Sequence, residues 1–198
     1  MTSSAGEPKD HHVPPGTGTL GLALILLALG VLFTASLVGY LIVRYTSADA
    51  PARGTLELPW PFWLSTLLIL CSGVSMFYGQ RSIVVDQRRA LRRALTVTTM
   101  LAVAFMIVQA PAMYGLYQLH NRESASGNIY LFGLVLLLIA LHAAHVIGGL
   151  VALILTTARA YRNAYSPDNY AGVRHCAMYW HFLDVVWIVM FTVFWASA

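Results

Sequence analysis

Apolar residues in this chain come in long unbroken runs, without the alternation of barrel strands. Five runs stand out, at about residues 20–43, 60–78, 94–116, 129–158 and 177–196. Each approaches or exceeds the roughly 20 helical residues that cross a hydrocarbon core. Backbone N–H and C=O groups left unsatisfied in lipid are costly, and without the period-two pattern of a barrel each run must close its hydrogen bonds as a helix. The fold class expected is an all-α integral membrane protein with five transmembrane helices. A tail over residues 1–18 precedes one transmembrane domain over residues 19–198. The first run exceeds a signal-peptide core and is followed by Arg44 rather than a small-residue cleavage site, so it is expected to stay in the mature protein.

Composition agrees. The 198 residues are 58% hydrophobic and 10% charged, against about 25% charged in an ordinary soluble domain. The tail is rich in Ser, Pro and Gly and carries Lys9, Asp10, His11 and His12, a composition that cannot build a core. His11 and His12 lack the further ligands, held in geometry, that a metal site needs. Cys71 and Cys176 fall in or beside apolar runs without CxxC spacing and are expected to be buried thiols.

A net charge of +4 could suggest nucleic acid, but the arginines lie between the apolar runs, where a topology signal explains them. With the N-terminus inside, the inner side holds Lys9, Arg81, Arg88, Arg89, Arg92, Arg93, Arg159, Arg162 and Arg174. The outer side holds only Arg44, Arg53 and Arg122. This bias places the N-terminus in the cytoplasm and the C-terminus outside. The basic inner loop suits anionic lipid headgroups.

Polar residues within the spans are few, and there they are expensive enough to need a partner or a role. Asp184 is the one acidic residue inside a run, and His181 precedes it by three positions on the same helix face. Trp180 and Trp187 flank them. The pair could relay protons or clamp helices at a contact. His142 and His145 also stand three apart, followed by Gly148 and Gly149, which let another helix approach. Two histidines could ligate a metal, yet no convincing further ligand set accompanies them. Nucleophile elbows, phosphate loops and paired carboxylates are absent, which excludes the common hydrolase and nucleotide-binding motifs.

Residues 179–187 read Tyr-Trp-His-Phe-Leu-Asp-Val-Val-Trp, and residues 141–149 read Leu-His-Ala-Ala-His-Val-Ile-Gly-Gly. The first resembles the last-helix signature of subunit III of haem-copper oxidases, Tyr-Trp-His-Phe-Val-Asp-Val-Val-Trp. The second is similar to that family's Phe-His-Gly-Leu-His-Val-Ile-Gly-Gly in the preceding helix. Weaker echoes lie at residues 40–44, 64–66 and Gln109-Ala110. The resemblance implies a non-catalytic subunit of a bacterial plasma-membrane oxidase that reduces oxygen to water and pumps protons. It implies a partner subunit I holding haem and copper, a subunit II in the same complex, bound phospholipid, and no redox centre in this chain. It also implies structural or contact roles for Trp180, His181, Asp184, Trp187, His142, His145, Gly148 and Gly149. The chain departs from the family where intramembrane carboxylates are common: Leu29 occupies one such position, and Pro111, Ala112 and Met113 surround the other. A quinol oxidase subunit III and the membrane protein that accompanies nitric oxide reductases fit the same motifs. Outside the family, a small transporter or a bis-histidine haem protein stays open.

Overall fold

The computed structural model describes residues 17–46, 60–123 and 129–197. They form five helices: α1 (Thr17–Thr46), α2 (Pro61–Val84), α3 (Arg88–Glu123), α4 (Ile129–Tyr161) and α5 (Ala171–Ser197). All five contain a segment long and apolar enough to cross a membrane, so the chain is a multi-pass membrane protein. Each helix outlasts its apolar run because the helical hydrogen-bond ladder continues through the interfacial residues. The first begins at Thr17, inside the stretch expected as tail. The rest of that tail, with His11 and His12, lies outside the described residues. Proline opens α2 at Pro61, where its missing N–H costs nothing. By contrast α3 runs on through Pro111.

Two tight turns close one end of the bundle. After α2, Asp86 adopts φ 53°, its N–H reaching Ile83 O at 3.1 Å while Gln87 N–H reaches Ser82 O at 2.9 Å. After α4, Asn163 adopts φ 57°, and Asn163 and Ala164 donate to Ala160 O and Arg159 O at 3.1 Å each. Both are Schellman caps, with Asp and Asn taking the left-handed position that glycine usually fills. Arg92 of α3 donates to Asn163 Oδ1, which ties the two turns together. The α4–α5 connection is further shaped by Tyr165, whose hydroxyl lies only 2.9 Å from where a Cβ on Gly172 would stand.

α2 packs along α3 and α5, α3 along α4, and α4 along α5, while α1 rests on α4 and α5 alone. The packing follows a seven-residue rhythm. On α2 large residues are buried at Phe62, Ile69, Met76 and Ile83, with Ser65, Ser72 and Gly79 between them. Leu91, Thr98, Phe105 and Ala112 repeat the spacing on α3, and Val173, Trp180, Trp187 and Phe194 on α5. A seven-residue seam is the signature of nearly parallel, left-handed packing. Small residues between large ones let backbones approach, and in lipid close packing drives association because hydrocarbon neighbours give no hydrophobic gain.

The expected burial of both thiols is corrected in part. Cys176 is buried, but Cys71 is exposed. It lies on the outward face of α2, one residue before the Ser72 seam. A thiol is apolar enough to face lipid as readily as protein.

Candidate functional site

Two tryptophans on the inner face of α5 build the site. Trp180 is 1% and Trp187 2% exposed. Their indole N–H groups donate across to α2, Trp180 to Ser72 Oγ and Trp187 to Thr66 Oγ1, both at 3.0 Å. Each hydroxyl spends its own proton within α2, Ser72 on Ile69 O at 2.8 Å and Thr66 on Phe62 O at 2.7 Å. An indole is a donor only, and a hydroxyl has lone pairs to spare. The four groups therefore satisfy one another without water.

One turn beyond Trp180, Asp184 projects into the same seam. Its Oδ2 lies 3.4 Å from His181 Nδ1, longer than the 2.7–2.9 Å of a strong charge-assisted bond. The carboxyl fits only because residue 73 is glycine, since a Cβ there would overlap Asp184 Oδ2 and stand 3.3 Å from its Cγ. Asp184 Oδ1 and His181 Nε2 are buried without a hydrogen-bond partner among the described residues. Buried polar atoms ordinarily have one. Asp184 and His181 thus hold acceptor and donor capacity in reserve.

The α4 histidines do different things. His142 is 1% exposed and sits at the centre of the bundle, its ring 5.3 Å from Trp187, 6.2 Å from Phe33 and 6.4 Å from Phe105. Neither of its ring nitrogens has a partner among the described residues. His145 turns Nδ1 to Leu141 O on its own helix at 2.7 Å and packs edge-on against Phe33 at 5.4 Å. Phe33 is thus the wedge by which α1 touches both histidines. Among the described residues no three His, Cys, Asp or Glu side chains gather as a metal-ligand group. The glycines also differ. At Gly149 a Cβ would stand 2.9 Å from Tyr179 and 3.0 Å from Leu183, whereas at Gly148 the nearest atom is 3.9 Å away. Tyr179 completes the α4–α5 contact by donating to His145 O at 3.1 Å.

Residues outside the two motifs of α4 and α5 complete the site. At one end of α1, Arg44 Nε and Nη2 donate to Ser197 O at 2.9 and 2.8 Å, and Tyr40 Oη meets Ser197 Oγ at 2.7 Å. At the other end, Thr19 Oγ1 lies 3.0 Å from His175 Nε2 and accepts from Arg174 Nη2 at 2.6 Å. Both staples join α1 to α5. Arg44 is 6% exposed, although the sequence marks it only as a charge closing the first apolar run. Gln109, at the α3 echo of the family pattern, is buried with both amide atoms unpartnered among the described residues. Leu29 is half-buried and Ala112 buried, and neither side chain can ionise.

Chemically the arrangement locks helices together. The indole, Tyr179 and Arg44 hydrogen bonds run between spans, and the aromatic rings fill the space between them.

A family profile described as cytochrome c oxidase subunit III matches residues 48–198. The chain is 30% identical over 193 residues to cytochrome c oxidase subunit 3 of Synechocystis sp., an alignment covering 96% of this chain and 80% of that protein. It is 29% identical over 187 residues to the protein of the same name from Thermostichus vulcanus, covering 92% and 89%. Over 205 residues it is 27% identical to the one from Mus musculus, covering 96% and 74%.

Proposed function

Since the chain belongs to the cytochrome c oxidase subunit III family, we propose that it is the non-catalytic subunit III of a terminal haem-copper oxidase. Its relatives are subunits of an oxidoreductase complex, and it belongs to a complex with other oxidase subunits. In this reading it packs directly against subunit I, with subunit II in the same assembly, in the plasma membrane of a bacterium. Haem and copper reside in those partners, and the electron donor, cytochrome c or quinol, is set by subunit II. The contribution of this chain is to hold subunit I and to support proton uptake over many turnovers.

One observation carries the reading. The segment of α5 that matches the family signature is the segment that ties the bundle together, through Trp180 and Trp187 to α2 and through Trp187 to His142 of α4. Such a seam keeps a fixed face towards a partner. The outward surface suits both lipid and a large apolar neighbour, with Val31, Trp63, Val74, Met100, Val151 and Trp195 all exposed. The end carrying Arg81, Arg88, Arg89, Arg92, Arg93, Arg159, Arg162 and Arg174 is assigned to the cytoplasm on the charge bias. With Leu29 at one position where the family commonly carries a carboxylate, and Pro111, Ala112 and Met113 around the other, support of proton uptake here does not run through those groups.

The test compares oxidase purified with and without this chain. Equal initial rates of oxygen consumption with earlier inactivation of the depleted enzyme are expected. Equal lifetimes over many turnovers would refute the supporting role.

A further inference from the structure

Two polar side chains in the interior of the bundle take no part in the bonds between α2 and α5. His142 of α4 is 1% and Gln109 of α3 is 3% exposed. Both ring nitrogens of the first and both amide atoms of the second are buried without a hydrogen-bond partner among the described residues. Most buried polar atoms have a partner, and polar groups inside a membrane are costly without one.

The immediate neighbours of His142 do not supply the bond. Its ring lies among those of Trp187, Phe33 and Phe105, at 5.3, 6.2 and 6.4 Å. The Trp187 N–H is committed to Thr66 Oγ1 at 3.0 Å, and the two phenyl rings carry no polar atom. His145, three residues along, turns Nδ1 to Leu141 O. A neutral imidazole has one N–H donor and one acceptor nitrogen in either tautomer. His142 therefore has one of each to place.

Gln109 lies one turn beyond Phe105 on the same buried stripe of α3. Helix side chains lean back towards the N-terminus, which carries the Gln109 amide over the turn of Phe105 and towards the His142 ring. The amide offers the complement of the imidazole, a carbonyl acceptor and an NH2 donor, yet the two side chains make no direct bond. An occupant between them must both donate and accept, and rings packed this closely leave no room for a large one. We propose that His142 and Gln109 share an internal water molecule that bridges α4 to α3 in the middle of the bundle. Water donates twice and accepts twice, and a buried water is held by two to four polar partners. A metal ion fits less well, because it would use lone pairs alone and no group of three His, Cys, Asp or Glu side chains gathers among the described residues. The site is separate from the indole bonds of α5 and does not depend on the oxidase reading.

The test is solid-state NMR on the isotope-labelled full chain in lipid bilayers, with each side chain assigned through its own backbone and magnetisation transferred from water protons. Transfer to the His142 ring and to the Gln109 amide is expected, although both are buried. Gln109→Leu should abolish the transfer to His142 and leave that to the other histidines unchanged. Transfer to His142 that survives in Gln109→Leu would overturn the shared site, and a wild type with no transfer to either side chain would overturn the water. A scalar coupling between a His142 ring nitrogen and the Gln109 amide nitrogen would replace the water by a direct bond and overturn it as well. If Gln109→Leu does not fold, the wild type decides: transfer to both side chains at one rate supports the bridge, and transfer to one alone overturns it.

Discussion

Placing a methyl group on residue 73 tests the packing at its tightest point. In Gly73→Ala the new Cβ would overlap Asp184 Oδ2 and approach His181 Nδ1 to 3.8 Å. Either the carboxyl must swing out of the seam, or α2 and α5 must separate by several tenths of an ångström. Separation would stretch the Trp180–Ser72 and Trp187–Thr66 bonds, both 3.0 Å. Interhelical hydrogen bonds in membranes average about 0.6 kcal/mol, so losing both costs about 1 kcal/mol. Overpacking adds roughly 1–3 kcal/mol, for a total of about 2–4 kcal/mol. Denaturation of the purified chain in detergent, followed by tryptophan fluorescence, reads the change. Gly21→Ala and Gly39→Ala, where nothing lies within 4 Å of the added atom, are the controls and should stay within about 0.5 kcal/mol. In Gly73→Ala/Asp184→Ala the obstructing carboxyl is gone, and the double variant should recover at least about 1 kcal/mol relative to the sum of the singles. A Gly73→Ala protein as stable as Gly39→Ala, or strict additivity in the double variant, would refute the reasoning.

Asp184→Leu should lower recovery of intact oxidase or shorten its activity over many turnovers, read by yield and by oxygen consumption; unchanged assembly and lifetime would count against it. Ser72→Ala leaves the Trp180 indole N–H unpaired in the core and should cost about 1–3 kcal/mol, whereas Ser72→Ala with Trp180→Phe should cost less than the sum of the two single changes. Arg44→Gln removes the charged donor that holds Ser197 O and should cost about 1.5–3 kcal/mol in the same denaturation assay. A membrane-soluble maleimide should label Cys71 in the native protein and Cys176 only after denaturation, because the first is exposed and the second buried. Equal labelling of the two would contradict the orientation of α2 or α5.

The five helices were legible in the sequence because lipid leaves a long apolar run one conformation. Which face of each helix turns inward was not. In water a buried face stands out by its hydrophobicity, but here Val74 and Met76 lie two residues apart, both apolar, one 71% and the other 0% exposed. Size carries the information instead. The alternation of Phe62, Ile69 and Met76 with Ser65, Ser72 and Gly79 marks the seam, and it becomes readable once close approach is recognised as the driving force. Asp184 was visible as a costly residue needing a neighbour, but Gly73, which makes room for it, sits on another helix. The spacing of His142 and His145 suggested one shared face. Burial separates them, because His142 reaches the central rings while His145 bonds its own helix. The staples of α1 were hidden for the same reason, since Thr19 and His175 are 156 residues apart.

The most direct measurement is a mild-detergent purification through a tag on this chain, followed by identification of the co-purifying proteins and a reduced-minus-oxidised spectrum. A haem-bearing subunit I and its subunit II partner, with oxygen consumption driven by cytochrome c or quinol, is the predicted result. A chain that comes down alone and colourless, or one that carries a Soret band by itself, would contradict its assignment as the non-catalytic subunit III of an oxidase.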